Sequence, residues 1–309
     1  MKIGFIGLGT MGRGIAANFQ KAGYALVVND LTEQAAAAHL KAGAIWAETP
    51  GKLAQQCDVV FTSLPTPKDV EAVGFGPSGL VTGFREGAAW FDLTTNSVAD
   101  VRNIHGRLAE KGIAFLDAPV SGGPAGAASG KMAIWVGGDR AVYDRCKPLL
   151  DAIADQPRYI GAIGAGSIAK LTHNMATTAL YGIMGEVMSM GIKAGLEPLQ
   201  LWEAIRGGAG GRMRTFDSIS RRFLQGKLDP PSFALRLAQK DVALALQLAR
   251  EVDVPMQMCD LVAKDIEAAM ERGWAGRDCQ SFLLLQQERA GIAPIAIPED
   301  QITQAIERT

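Results

Sequence analysis

The sequence predicts a doubly wound α/β sheet followed by an all-α domain built round one long helix. Three observations carry this. In the first half, short apolar runs at 2–6, 25–29, 58–64 and 88–93 are each bounded by Gly, Pro, Asp or Thr and alternate with helical patterns. That alternation is the mark of parallel strands joined by right-handed helical crossovers. From 167 to 193 charge almost vanishes, with only Lys170 and Glu186 before Lys193. No run after residue 165 reads as a strand. The expected organisation is a sheet domain over 1–163, a helical domain over 164–293 and a tail over 294–309.

The crossover helices of the first half are expected near 11–22, 32–42, 50–56 and 67–73. Runs at 115–120 and 132–136, with a Gly/Ala/Ser loop over 121–130 between them, extend the sheet with an antiparallel edge. A strand at 158–160 and a loop over 161–166 close the first half. In the long helix, Ile168, Leu171, Met175, Leu180, Ile183, Met184, Val187 and Met188 wrap most of the circumference. A helix apolar on most sides is packed on most sides, so it is either the centre of a helical domain or an interface. Further helices are expected at 197–206, 235–252, 255–272 and 279–291, with Pro198 and Pro255 in first turns.

Composition excludes several classes. The chain has 309 residues, 31 Lys+Arg against 32 Asp+Glu, and a formal net charge of −1. No basic surplus is available to neutralise a nucleic-acid backbone, so nucleic acid is not an expected partner. Four cysteines and three histidines lie scattered, without CxxC spacing. Neither a metal site nor a disulfide framework is expected, and a reducing compartment follows. No apolar run is long enough to span a membrane. The glycine-broken N-terminus reads as a first strand rather than a secretory peptide. A soluble, cytoplasmic protein is expected.

Gly7-Leu8-Gly9-Thr10-Met11-Gly12 follows an apolar strand and opens a helix. In this GxGxxG arrangement Gly7 makes the tight turn, Gly9 lets a pyrophosphate approach the backbone, and Gly12 lets helix and strand pack closely. The helix N-terminus then points its amides at the phosphates. Asp30 ends the next strand, at the distance that suits a ribose diol. Its charge repels a 2′-phosphate and no Arg adjoins it, so NAD is expected in preference to NADP. This is a Rossmann-type dinucleotide domain.

Lys170 stands one turn into a helix with no other cation before Lys193. One reading has it snorkel to solvent. The other places it with Asn174, four residues on and on the same face, at a cleft between domains, where apolar surroundings lower its pKa toward proton-transfer use. His173 falls on a different part of the helix surface from Asn174 and is read as structural or peripheral. After the strand at 115–120, Ser121 offers a hydroxyl and Gly122 and Gly123 offer consecutive amides: an anion nest, or an ordinary Gly-Pro turn. Thr95, beyond the strand at 88–93, reaches the nicotinamide half of a cofactor, unless Thr94, Thr95 or Ser97 only caps the next helix. Arg212 and Arg214 follow a glycine run and read as solvated, with recognition of a second carboxylate as the alternative.

Together these motifs resemble the β-hydroxyacid dehydrogenase family, which includes 3-hydroxyisobutyrate dehydrogenase and tartronate semialdehyde reductase and is related to 6-phosphogluconate dehydrogenase. The resemblance covers 1 to about 292. The opening glycine segment matches the family's cofactor signature, Met11 included. The run from Asp117 to Gly123 matches the substrate motif, which implies that Ser121, Gly122 and Gly123 hold a carboxylate. Gly164-Ala165-Gly166, Lys170 and Asn174 match the catalytic segment, which implies Lys170 as proton-transfer residue and Asn174 as its partner. Lys240-Asp241 matches a Lys-Asp pair whose lysine approaches the cofactor, and Phe233 falls where a pocket wall is expected. Leu64 and Pro65 fall in the cofactor cleft. The chain departs from the family with Ser63 before Leu64, where methionine is frequent, and with Val98 in place of a proline after Asp92-Leu93-Thr94-Thr95.

The implied activity is hydride transfer between NAD (NADP being possible) and a small β-hydroxy acid or its semialdehyde or keto form. No metal is needed, and a homodimer or homotetramer is expected. The alternatives are a non-catalytic NAD-binding reader or scaffold of the same fold and a decarboxylating 6-phosphogluconate-type enzyme.

Overall fold

The computed structural model describes residues 1–214, 217–251, 253–291 and 293–307; some helical side chains, Lys240 and Asp241 among them, lie outside the description. The chain divides into two compact units, Met1–Met175 and Ala176–Thr309.

The first unit holds a sheet of nine strands: β1 (Ile3–Ile6), β2 (Leu26–Asn29), β3 (Ile45–Trp46), β4 (Val59–Thr62), β5 (Ala89–Asp92), β6 (Ala114–Asp117), β7 (Val120–Ser121), β8 (Ala133–Gly137) and β9 (Gln156–Gly161). The order is β3-β2-β1-β4-β5-β6-β8-β7, with β9 on β8. The strands β1 to β6 are parallel. The edge turns antiparallel at β6–β8 and β7–β8, as expected, and then parallel again at β8–β9. Strand order reverses on either side of β1, so a crevice opens beyond its carboxyl end, next to β4.

Eight helices accompany these strands: α1 (Gly12–Lys21), α2 (Glu33–Lys41), α3 (Pro50–Ala54), α4 (Pro67–Phe75), α5 (Val98–Ala109), α6 (Gly123–Ser129), α7 (Arg140–Asp151) and α8 (Ala165–Lys193), the last running past Met175. Alternate strand residues feed two cores. Ile3, Phe5, Phe61 and Phe91 join Ile15 and Phe19 of α1, whereas Ile6, Val60 and Trp90 join Leu53 of α3 and Val101 and Ile104 of α5. Phe19, Phe61 and Phe91 form a ring column at centroid spacings of 4.9 and 5.2 Å.

The structure corrects the expectations in several places. Residues 123–129 form α6 rather than a loop. Pro124 presets its first turn, an alanine run continues it, and Gly130 in a left-handed conformation ends it. Strand β3 and helix α7 were not expected. The former is only two residues long, and the latter carries Pro148 within a helix capped by Asp139.

The second unit holds α9 (Pro198–Gly207), α10 (Leu235–Glu251), α11 (Gln257–Glu271), α12 (Leu283–Arg289) and α13 (Glu299–Glu307). Pro198 occupies the first turn of α9 as expected. Pro255 precedes α11, whose N-cap is Met256. The segment at 279–291 begins as a 3₁₀ turn capped by Asp278 before α12 starts. The tail carries a helix, α13, amphipathic over 299–307. Beyond 165 the described residues hold one isolated bridge, Ala234 to Asp278, and no strand. None of the eight apolar residues named along α8 is fully buried, and Ile168, Leu171 and Met175 are exposed. No described helix is long and apolar enough to cross a membrane.

Candidate active site

At the switch point, Gly7 has φ +94°, and a Cβ there would lie 2.3 Å from the Ser63 carbonyl oxygen. A Cβ on Gly12 would lie 1.7 Å from the Gly7 carbonyl oxygen, so α1 meets its own loop at backbone contact. Gly9 is exposed, with nothing within 4 Å of where its Cβ would stand. These are three different reasons for three glycines: a left-handed turn, an open approach and a close contact. No side chain caps α1, and its first turn carries no acid, which leaves the amide end receptive to an anion. A cavity of about 640 Å³ is lined by this loop together with Met11, Asp30, Leu31, Leu64, Pro65 and Val73.

Asp30 braces that loop. Its two carboxylate oxygens accept from the Leu8 amide at 2.6 Å and the Leu31 amide at 2.7 Å. Each oxygen keeps lone-pair capacity toward the cavity. A tight glycine turn open at Gly9, an uncapped helix end and an acid at the ribose position fit an extended dinucleotide.

Beyond β5 the sequence left two readings for 94–97, and the structure divides the work. Ser97 caps α5 by accepting from the Asp100 amide at 3.0 Å. Thr94 accepts from the Leu64 amide at 3.1 Å, tying this turn to the cavity wall. Thr95 is exposed. Beneath them Asp92, 1% exposed, accepts from Thr62, Asn96 and the Thr94 amide. Burial pushes its carboxyl up to about 6, although those hydrogen bonds oppose the shift.

A second cluster forms where β7 approaches the start of α8. The Ser121 hydroxyl lies 3.4 Å from His173 Nε2. The His173 ring packs on Trp135 of β8, with centroids 5.2 Å apart. Gly122 and Gly123 follow at φ +143° and +59°, both exposed. Lys170 is half-buried, and burial lowers its ammonium below the ordinary lysine value. The His173 imidazole is lowered too, first by burial and then by the Lys170 charge. His173, a helical neighbour of Lys170, thus lies between Trp135 and Ser121. Spacings of three and four make both His173 and Asn174 helix neighbours of Lys170.

The turn that carries Lys170 is fixed from below. Asp117, at the end of β6, is 1% exposed and accepts from the Gly164 amide at 2.8 Å and the Ser167 amide at 2.6 Å. Its importance was not visible locally, since the partners lie 47 and 50 residues away.

In the second unit, Phe233 is 41% exposed, and its carbonyl accepts from the Cys279 amide at 2.7 Å. Ser232 beside it is held by Asp278, through both amide and hydroxyl. Lys240 lies on α10, with its side chain outside the described residues. Arg212 is exposed and donates from Nε to the Gly207 carbonyl at 2.6 Å, which closes the glycine run on itself; Arg214 is also exposed.

The dinucleotide cradle, with a half-buried lysine, a hydroxyl and a glycine pair at the end of the same sheet, defines a nicotinamide-dependent oxidoreductase. Residues 2–164 match the NAD-binding domain of 6-phosphogluconate dehydrogenase, and 164–285 match the NAD-binding domain of NADP-dependent 3-hydroxyisobutyrate dehydrogenase. The chain belongs to the β-hydroxyacid dehydrogenase family. It is 33% identical to 2-(hydroxymethyl)glutarate dehydrogenase of Eubacterium barkeri, over 95% of this chain and 97% of that one. It is also 33% identical to NAD-dependent L-serine dehydrogenase of Pseudomonas aeruginosa, over 90% and 95%. The structure of Mycobacterium tuberculosis 3-hydroxyisobutyrate dehydrogenase with L-serine superposes with a TM-score of 0.64 at 28% identity, covering 93% of this chain and 99% of that one.

Proposed function

We propose that the protein interconverts a small β-hydroxy acid and its semialdehyde or keto form, with NAD as the preferred cofactor. The observation that carries this reading is the half-buried Lys170 one helical turn from His173, which meets Ser121, with the lysine ammonium destabilised by burial. When bound, the nicotinamide supplies or accepts hydride at the carbinol carbon. The rest of the work falls to the chain. The Gly7–Gly12 loop and the α1 amides hold the pyrophosphate, and Asp30 takes the adenosine ribose. Leu64, Pro65 and Thr95 flank the cofactor.

Ser121 and the amides of Gly122 and Gly123 grip the substrate carboxylate. Lys170 Nζ takes the hydroxyl proton during oxidation and returns one during reduction. Asn174 holds the lysine and the reacting oxygen in line. A lowered pKa helps both directions, because the neutral base becomes available nearer neutrality. His173, kept neutral, completes the polar wall beside Ser121. The apolar side chains exposed along α8 support a homodimer or homotetramer.

The preference for NAD rests on Asp30. Its negative charge disfavours a 2′-phosphate, and a relative described as NAD-dependent supports the same choice. The test is a panel of 3-hydroxyisobutyrate, L-serine and 2-(hydroxymethyl)glutarate with NAD and NADP, following reduced cofactor. Turnover of at least one acid is expected, with kcat/KM higher for NAD by about tenfold, about 1.4 kcal/mol of discrimination. A protein that binds NADH yet turns over no hydroxy acid would be a binder without chemistry.

A further inference from the structure

We infer that Asp117 is the positioning residue for Lys170: its buried carboxylate sets where the proton-transfer helix begins. This rests on the assignment of Lys170 as acid and base.

The residue stands in the segment that resembles a substrate motif, but its side chain does not reach the surface. It is 1% exposed, and both oxygens accept amides from the entry to α8, Gly164 N at 2.8 Å and Ser167 N at 2.6 Å. Ser167 lies one turn before Lys170. Amides at a helix start have no partner within the helix, and a carboxylate there answers both the missing acceptors and the dipole. Glycines close the joint on every side. A Cβ on Gly137 would stand 2.4 Å from Asp117 Oδ1, and one on Gly166 would stand 2.8 Å from the Asp117 carbonyl oxygen and 2.2 Å from that of Trp135. Helix, strand β6 and strand β8 therefore meet at backbone contact, with one carboxylate as the fastener.

The carboxylate-binding loop has separate supports. Ala118 N donates to the Asp92 carbonyl, Trp135 N donates to the Pro119 carbonyl, and Val120 and Ser121 pair with β8. Removing the Asp117 side chain should loosen the start of α8 while leaving the grip on substrate and cofactor in place. Misplacement of a catalytic group by about 1 Å costs on the order of 10²-fold in rate. The signature is thus a fall in kcat without a matching change in KM or in NADH affinity.

The experiment compares wild type, Asp117→Asn, Asp117→Ala and Lys170→Ala as full-length proteins. It measures kcat, substrate KM, NADH Kd by fluorescence and thermal midpoint, with rates referred to folded protein. Asp117→Asn keeps one acceptor and should lose about 10- to 100-fold in kcat, and Asp117→Ala more, with KM and Kd within about threefold of wild type. If Asp117→Asn does not fold, Gly137→Ala presses on the same carboxylate from β8 and should give the same split. A lower midpoint with kcat unchanged per folded molecule overturns the inference, as does a loss carried by KM. The Lys170→Ala arm separates the two failures: if that variant keeps its turnover, the function assigned to Lys170 falls; if it alone loses turnover, only the role of Asp117 falls.

Discussion

The Gly7–Gly12 loop and the Lys170 cluster sit on one sheet but are built on opposite plans. The first is local: strand, turn and helix follow within a dozen residues, and backbone amides do most of the binding. Its distant braces come from one strand end, where the Asn29 carbonyl accepts from the Gly7 amide and Asp30 from the Leu8 amide. The second is assembled from segments up to 52 residues apart, with Trp135, His173 and Ser121 brought together by the joint of β6, β8 and α8. A binding site for a phosphate needs amides pointed one way, which a single turn supplies. A proton-transfer site needs a side chain in an altered environment, which only packing supplies.

That contrast can be broken at either end. The largest effect is expected at Lys170: Lys170→Ala should cost roughly 10²–10⁴ in turnover while NADH still binds, measured by steady-state rates beside a fluorescence titration. Turnover within a few-fold of wild type would remove the chemical plan from the second region. At the first region, Gly12→Ala puts a Cβ 1.7 Å from the Gly7 carbonyl oxygen, which must shift. NADH affinity should fall by at least about tenfold with a lower thermal midpoint, since overpacking a close contact typically costs about 1–3 kcal/mol. Normal affinity in that variant would mean that the loop does not rely on this contact.

The smallest effect bears on the seam between the two regions, where Asp92 steadies Thr94 and Asn96. Its carboxyl is raised from 3.8 to about 6 in the folded state, so folding favours the protonated form. Its stabilising contribution is complete below the unfolded value near 4 and is lost as pH rises through 6. A shift of about two units amounts to roughly 3 kcal/mol at most. Relative to wild type, Asp92→Asn should therefore gain stability between pH 4 and 7, as read by denaturant unfolding. A constant difference across that range would show that Asp92 titrates normally.

The same contrast explains what could be read from the chain. The four central strands and the glycine loop were legible because alternation and GxGxxG are local signals, and the phosphate cradle needs little more. Helix α6 was hidden by its Gly, Ala and Ser content, which reads as a loop until Pro124 and Gly130 are recognised as its two ends. Strand β3 is too short to carry a period. Lys170 stood out because it is alone in an apolar stretch, and Ser121 because glycines follow it. The approach of His173 to Ser121 depends on how β7 and α8 pack, and no spacing in the sequence encodes that. Asp117 was masked by its own motif: the segment pointed to substrate, whereas the carboxylate points inward to a helix start 47 residues on.

The central claim is that burial tunes Lys170 for proton transfer, and the pH dependence of oxidative turnover tests it most directly. The ammonium is held below its ordinary value of 10.5. The rate should therefore rise with pH and level off below that value, on a limb that disappears in Lys170→Ala. A limb that persists in the variant, or one centred at the ordinary lysine value, would contradict the account.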